Sequence, residues 1–357
     1  PYLFLFVIFL VTYVVSACVG IYATIFLMWG ICYKMLLNLG YGKQEKTSAF
    51  LLIGVAYVSI MGMTIKPWSP WSLLGTSAMT KATGLAYDFL PYSAFMCAVS
   101  LSSILLFMLA GKFIIRIDTS KLKNVDYTKL AGKIDFTFEQ KIGSILLIFI
   151  LVALYLPSTL SKESLLYTIL NNLGPVGVVG IVTVLLCLIR SKQKPMMDFA
   201  KTAAQGVPWN MICLLACVGP LGTALMHEDA QITPAILSLL KPILAGQSPF
   251  MMYALITIIG LILTQFMNNT VLLVALTPIL CKIAGLMGAN PLIITALLVF
   301  GLSAALATPG ASSRAGLVFG NVEWIAVKDA YFQNIISVVC VLIALLAVGI
   351  PLGMLLF

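Results

Sequence analysis

The tripeptide Asn268-Asn269-Thr270 places two amides and a hydroxyl in the middle of an apolar stretch, residues 250–286, that contains no acidic residue. The stretch is too long for one membrane crossing, which needs about 20 residues. Polar groups at this depth are costly unless they bind something, and irregular backbone persists there only when it is buried or lines a cavity. The pattern therefore predicts a re-entrant hairpin, residues 249–287, whose tip binds an ion or a small polar solute.

A cluster of amides and hydroxyls suits either sign of charge. Its oxygens are ligands for Na⁺, and its N–H and O–H groups are donors for an anion. Free N–H groups at the start of the hairpin's second helix would strengthen an anion site. The structural alternative is a polar clamp between helices, which is common for a lone Asn or Thr in membranes.

A second polar interruption, residues 308–314, reads Thr-Pro-Gly-Ala-Ser-Ser-Arg. The proline and glycine predict a helix end, and Ala-Ser-Ser is expected to leave backbone carbonyls free for a cation. Arg314 is a charged residue inside a predicted membrane segment, and the default hypothesis for such a residue is a functional role. It would bind a carboxylate or sulfate, or stand as a fixed charge where a second cation would bind. The alternative is that Arg314 extends to the membrane interface.

We therefore expect two sets of binding residues. The expected ion and substrate ligands are Asn268, Asn269, Thr270, Thr308, Pro309, Gly310, Ser312, Ser313 and Arg314, with Na⁺ at Asn269, Thr270 and Thr308. Weaker candidates in the N-terminal part are Ser16, Cys18, Gly20, Ser59, Gly62 and Thr64, with Lys66 as the one formal charge among them. For these weaker candidates, helix packing or bending is the alternative.

Composition indicates an all-α polytopic membrane protein. The chain is 61% hydrophobic and 9% charged, against about a quarter charged in soluble domains, and its long continuous apolar runs favour helices over the alternation of a β-barrel. The net charge of +9 is concentrated in short connections beside the apolar runs. This indicates the positive-inside rule rather than a nucleic-acid surface. Motifs for hydrolases, metalloproteases or nucleotide binding are absent from the sequence, so neither an enzyme nor a cofactor is expected.

Two parts of the chain repeat one order of elements: a long hairpin, a broken crossing and a plain crossing. The first repeat, residues 1–115, comprises residues 1–33, 47–75 and 89–115, and the second, residues 249–357, comprises residues 249–287, 291–320 and 332–356. A cytoplasmic linker, 116–141, and three crossings, 142–157, 173–189 and 207–226, lie between them within residues 116–248. Five crossings thus separate the hairpins, and an odd number predicts inverted repeats, which are typical of secondary transporters.

Several of these residues resemble the divalent anion/Na⁺ symporter family, which carries a Ser-Asn-Thr motif at each of two hairpin tips. The matching segments are residues 267–271 with 276–279 at the second tip, 307–309 and 317–320 in the second broken helix, 208–210, and 54–57. Asn268 replaces the serine of the second motif, and Cys18-Val19-Gly20 stands where the first motif would be. The segment 310–316 is longer than in the family and contains Arg314, and about three N-terminal helices of the family pattern are expected to be missing.

The resemblance implies Na⁺-coupled symport of a dicarboxylate, citrate or sulfate by an elevator motion in a homodimer, with Na⁺ as the coupling ion. A bacterial inner membrane is the expected location. An ion channel or a cation/proton exchanger on the same scaffold is the alternative, although an exchanger is expected to keep a carboxylate within its spans. An integral membrane enzyme or an assembly subunit is a further class, with no catalytic motif behind it.

Overall fold

Helices make up nearly all regular structure in the computed structural model, which describes residues 1–124, 137–161, 163–191, 193–206 and 248–357. The predicted crossing 207–226, the resembling segment 208–210 and residues 125–136 of the predicted linker lie outside these residues. One compact unit contains helices from both ends of the chain, and a second contains the middle helices.

The unit built from the two chain ends contains eleven of the described helices. Its N-terminal helices are α1 (Tyr2–Val19), α2 (Ile21–Asn38), α3 (Lys46–Thr64), α4 (Pro70–Thr83) and α5 (Phe89–Ala110), which continues as a π-helical turn, Gly111–Ile115. The middle helices of the other unit are α6 (Phe138–Tyr155), α7 (Leu165–Leu188) and α8 (Phe199–Gly206). The C-terminal helices are α9 (Pro249–Leu263), α10 (Asn269–Leu286), α11 (Pro291–Ser303), α12 (Ser313–Gly320), α13 (Val327–Ala344), a π-helical turn (Leu345–Gly349) and α14 (Ile350–Leu356).

The first long apolar segment forms two helices joined at Gly20. This residue has φ 105° and ψ 169°, a conformation that is essentially restricted to glycine. Helix α1 runs parallel to α3 and α2 returns antiparallel to it, so the two arms form a hairpin. The contacts that fix these directions are Phe9 with Gly54, Ser16 with Ser59, and Trp29 with Leu52. The single tilted helix considered from the sequence is therefore excluded, and the hairpin extends to Asn38 rather than to residue 33.

The second hairpin packs along α11 in the same way. Helix α9 runs parallel to α11, and α10 returns antiparallel to it. The contacts that fix these directions are Tyr253 with Asn290, Thr264 with Leu302, and Cys281 with Thr295. In both halves, a hairpin therefore packs along the first part of a broken helix.

Helices α3 and α11 form the core of the two halves. Nearly every residue of α3 and all of residues 293–303 in α11 are buried. A helix that is apolar on all faces must be surrounded by other elements or by lipid. Trp71 of α4 joins the two halves, because its Nε1 donates to the carbonyl of Val299 at 2.9 Å.

Six described helices are long and apolar enough to cross a membrane, or seven if the bent helix α7 is counted as one span. The chain is therefore an all-α polytopic membrane protein. Helix α7 differs from the plain crossing predicted at residues 173–189, because it begins at Leu165 and bends by 79° near Gly174. The sequence explains the bend. Gly174 is followed by Pro175, and the helical conformation is disfavoured for a residue that precedes a proline.

The middle unit also differs from the sequence expectation at its connections. Helix α6 begins four residues earlier than the predicted crossing, because Thr137 and Gln140 form a capping box at its start. The predicted loop 190–206 contains a short antiparallel ladder, Arg190–Ser191 with Lys194–Pro195, and then α8.

The connection after α2 contacts the segment that follows α12. Tyr33 stacks on Trp324 with ring centroids 4.7 Å apart, and the backbone N–H of Gln44 donates to the Trp324 carbonyl at 3.1 Å. Lys43 forms an ion pair with Glu323. The base of the first hairpin and the end of α12 therefore lie side by side.

Candidate functional site

The tip of the second hairpin is built around Asn268. Helix α9 ends at Leu263 and α10 begins at Asn269. The Oδ1 atom of Asn268 accepts hydrogen bonds from the backbone N–H groups of Thr270, at 3.0 Å, and Val271, at 3.2 Å. This is an N-cap. The expectation that the helix start offers its free N–H groups to an anion is therefore wrong for these two, because a side chain of the chain itself already binds them.

Asn269 and Thr270 follow this cap and are partly exposed. The Thr270 hydroxyl lies 3.5 Å from Oδ1 of Asn269, a long hydrogen bond that leaves both groups available to a ligand. Their proposed role as Na⁺ ligands stays a prediction.

Gln265 holds this tip against the second broken helix. Its side chain is buried and makes four hydrogen bonds. Its Nε2 donates to the carbonyls of Leu261, at 3.0 Å, and Ala304, at 3.1 Å, and its Oε1 accepts from Leu306 N–H, at 3.2 Å, and Ala307 N–H, at 2.9 Å. Sequence reasoning missed this residue. The available signal was an amide in an apolar stretch three residues before the polar tripeptide.

Two threonines complete the contact between the tip and the break. Thr308 Oγ1 donates to the Gln265 carbonyl at 2.6 Å, and Thr264 Oγ1 donates to the Leu302 carbonyl at 3.1 Å. The structure therefore brings together the two polar interruptions that the sequence singled out. Pro309, Gly310 and Ser313 are exposed beside them.

The carbonyl end of α11 is capped by side chains. The last carbonyls of a helix have no partner within it. Here the carbonyls of residues 302–305 each accept from a side chain. The donors, in order, are Thr264, Arg314 (2.6 Å to Ser303), Gln265 and Ser312 (2.6 Å to Ala305). These four carbonyls are therefore already bound within the chain, whereas the expectation of free carbonyls within residues 311–313 stays a prediction.

Arg314 lies in the first turn of α12 and is 3% exposed. The alternative that it extends to the membrane interface is therefore wrong. Its Nη2 donates to the Ser303 carbonyl, whereas its Nη1 is buried without a hydrogen-bond partner. The ion pairs among the described residues are Lys43–Glu323 and Lys121–Glu45, so no described carboxylate neutralises Arg314.

The first hairpin tip lies close to two cationic side chains. Tyr22, just after the turn, is within electrostatic range of Arg314. Cys18, just before the turn, is within electrostatic range of Lys66, which is partly buried in the break between α3 and α4. Lys66 of the first half thus lies near one side of the Gly20 turn, and Arg314 of the second half lies near the other.

The hydroxyl groups of the weaker N-terminal candidates bond to backbone carbonyls of their own or a neighbouring helix. Ser16 Oγ bonds the Ser59 carbonyl, Ser59 Oγ donates to the Val55 carbonyl at 2.6 Å, and Thr64 Oγ1 donates to the Met61 carbonyl at 2.9 Å. A Cβ on Gly62 would meet the Tyr13 carbonyl oxygen at 2.3 Å, so this glycine permits close packing of α1 on α3. Cys18 is exposed, and Gly20 forms the turn.

A metal centre built from acidic, cysteine or histidine side chains is not found among the described residues. A cation here would have to be held by carbonyl, amide and hydroxyl oxygens. Such neutral oxygen ligands suit a weakly held monovalent ion better than Zn²⁺ or Fe²⁺.

Together, two hairpins packed on two broken helices, with polar groups gathered at the breaks, characterise this polytopic membrane protein. The family described as "Sodium:sulfate symporter transmembrane region" matches residues 40–357, so the chain belongs to this family. The chain is also similar to the sodium-dependent dicarboxylate transporter SdcS of Staphylococcus saprophyticus, at 23% identity over 85% of this chain. The chain spans about half the length of that relative, since the aligned region covers 55% of it.

Proposed function

We propose that the chain is a Na⁺-coupled symporter of a small divalent anion: a dicarboxylate, citrate or sulfate. The observation that carries this proposal is Arg314, a buried cation whose Nη1 has no hydrogen-bond partner and which no carboxylate of the described residues neutralises. An uncompensated buried charge is strongly destabilising, so the site favours an anion that binds there. The guanidinium donates to carboxylate and sulfate oxygens in the same way, and Lys66 provides a second positive charge for a divalent ligand.

Na⁺ is proposed to bind at Asn269, Thr270 and Thr308, beside the anion. Support comes from the geometry of the second tip, where partly exposed amide and hydroxyl oxygens lie next to the break. The family description and the name of the relative both refer to sodium. Binding of the cation next to the anion couples the two, since each lowers the electrostatic cost of the other.

The two halves are proposed to be inverted repeats that alternate access by an elevator motion in a homodimer. The matched packing of a hairpin on α3 and on α11 supports the repeats. The elevator motion, the dimer and a bacterial inner membrane rest on the resemblance and on the bacterial relative. An ion channel or a cation/proton exchanger remains the alternative.

The proposal is tested by uptake of radiolabelled succinate and sulfate into proteoliposomes, with an inward Na⁺ or choline gradient. We expect uptake of at least one anion that requires Na⁺. Asn269→Ala and Thr270→Ala should each lower it about tenfold or more, equivalent to about 1.4 kcal/mol. Thr168→Ala, at an exposed position on α7, is the matched control and should retain uptake. Unchanged uptake in both tip variants would remove the proposed site.

Electrical recording distinguishes a symporter from an ion channel, and uptake under a pH gradient distinguishes it from a proton-coupled carrier. Anion or cation currents that need no counter-substrate would indicate a channel. Uptake driven by a pH gradient in the absence of Na⁺ would indicate proton coupling. Either result would contradict Na⁺ symport.

A further inference from the structure

The carbonyl end of α11 attracts positive charge. Aligned peptide dipoles give the C-terminal end of a helix a partial negative charge, and cations are stabilised there. In transporters with broken helices, such ends coordinate coupling ions. In this chain the end is buried, because residues 301–306 are all inaccessible.

Three of the four donors at this end are neutral, namely Thr264, Gln265 and Ser312. Only Arg314 brings charge, and its Nη2 reaches the Ser303 carbonyl at 2.6 Å. Burial without a carboxylate would be unfavourable for this guanidinium, but the negative end of α11 compensates part of its charge. The nitrogen Nη1 is buried and has no hydrogen-bond partner, so it can still donate to a ligand.

We propose that Arg314 is a resident cation, which takes the position that a coupling Na⁺ would otherwise occupy at the end of α11. One nitrogen binds the helix end, and Nη1 faces the anion. This inference rests on the proposed function and refines it. The chain would need one Na⁺ fewer at this break, and it would hold its anion by a covalently tethered charge whose occupancy does not depend on the Na⁺ concentration.

The test is Na⁺-dependent protection against thermal unfolding, measured in detergent without any anion, with choline as the replacement ion. Loss of the guanidinium in Arg314→Ala exposes the carbonyl end, so Na⁺ can bind there. We expect saturating Na⁺ to raise the Tm of this variant by about 2–4 °C more than that of the wild type. Arg314→Lys keeps the charge and should behave like the wild type.

Arg190→Ala removes an exposed arginine elsewhere and is the charge-matched control, with no added Na⁺ response expected. If Arg314→Ala cannot be purified, Arg314→Met gives the same readout, because it removes both the charge and the donor to the Ser303 carbonyl while keeping a long side chain. Equal Na⁺ responses in the wild type and the neutral variant would overturn the inference. So would an added response in Arg314→Lys.

The outcome is independent of transport. Wild-type protein without Na⁺-dependent uptake would refute the proposed function while the Na⁺ response of Arg314→Ala could still appear. Wild-type symport with no added response in the neutral variant would refute only the resident cation.

Discussion

The two hairpins turn in different ways, although both pack along a buried broken helix. The first turns at one residue, Gly20, and no polar side chain caps the helix that follows. The second turns over residues 264–268 and is capped by Asn268. A one-residue turn offers no ligands, whereas a longer turn holds amides and hydroxyls at the break. The difference agrees with our proposal that the ligands bind mainly to the C-terminal half.

The broken helices differ in the same sense. At the end of α3, the carbonyls of Thr64 and Ile65 accept from the hydroxyls of Ser72, at 3.3 Å, and Ser93, at 2.7 Å. At the end of α11, a guanidinium takes part. Similar packing therefore surrounds a neutral end in one half and a charged end in the other. In the proposed site, the first half would therefore contribute mainly packing, together with Lys66, and the second half would contribute the binding groups.

The largest expected effect comes from Gln265→Leu, which removes the four-bond contact specific to the second half. Two buried N–H groups and the Ala304 carbonyl lose their partner, at about 1–3 kcal/mol for each unsatisfied group. We expect a loss of roughly 3–5 kcal/mol in the free energy of unfolding, measured by thermal denaturation in detergent. Gln265→Asn keeps an amide with both a donor and an acceptor and should lose less. A Tm of Gln265→Leu within 1 °C of the wild type would contradict this role.

A smaller effect is expected from Gly62→Ala in the first half. The new methyl would meet the backbone of α1, so the hairpin must move away from α3, which costs about 1–3 kcal/mol. The matched control in the second half is Gly260→Ala, whose Cβ would contact Leu298 at 3.4 Å, an ordinary packing distance. Its Tm should change little. Equal losses in the two variants would show that the hairpins pack equally tightly, contrary to the comparison.

The smallest effects are expected from single hydroxyls that join hairpin and broken helix. Ser16→Ala and Thr308→Val should each lower the free energy of unfolding by about 1 kcal/mol. Only Thr308→Val should also weaken the Na⁺ dependence of anion uptake, because only the second break is proposed to bind Na⁺. The comparison is refuted if Ser16→Ala shifts the Na⁺ dependence as much as Thr308→Val.

Sequence reasoning located the interruptions but not the bonds made there. The prolines, glycines and polar tripeptide marked both breaks, because each disrupts an otherwise apolar helix. The partner of Arg314 was beyond prediction, since it is a backbone carbonyl, that of Ser303, and backbone groups are the same at every position. Gln265 was missed because its position next to the tripeptide drew no separate attention. The cap formed by Asn268 was also missed, since its side chain was assigned to a ligand.

The contact of Tyr33, Lys43 and Gln44 with the segment after α12 has a mechanical consequence. Stacking, an ion pair and a backbone hydrogen bond all join the same two segments, so the stem of the first hairpin cannot shift far without displacing the helix that begins beside Arg314. A displacement of the first hairpin would therefore also displace α12 and Arg314. In the proposed elevator motion, the base of the first hairpin and α12 would therefore move together as one body.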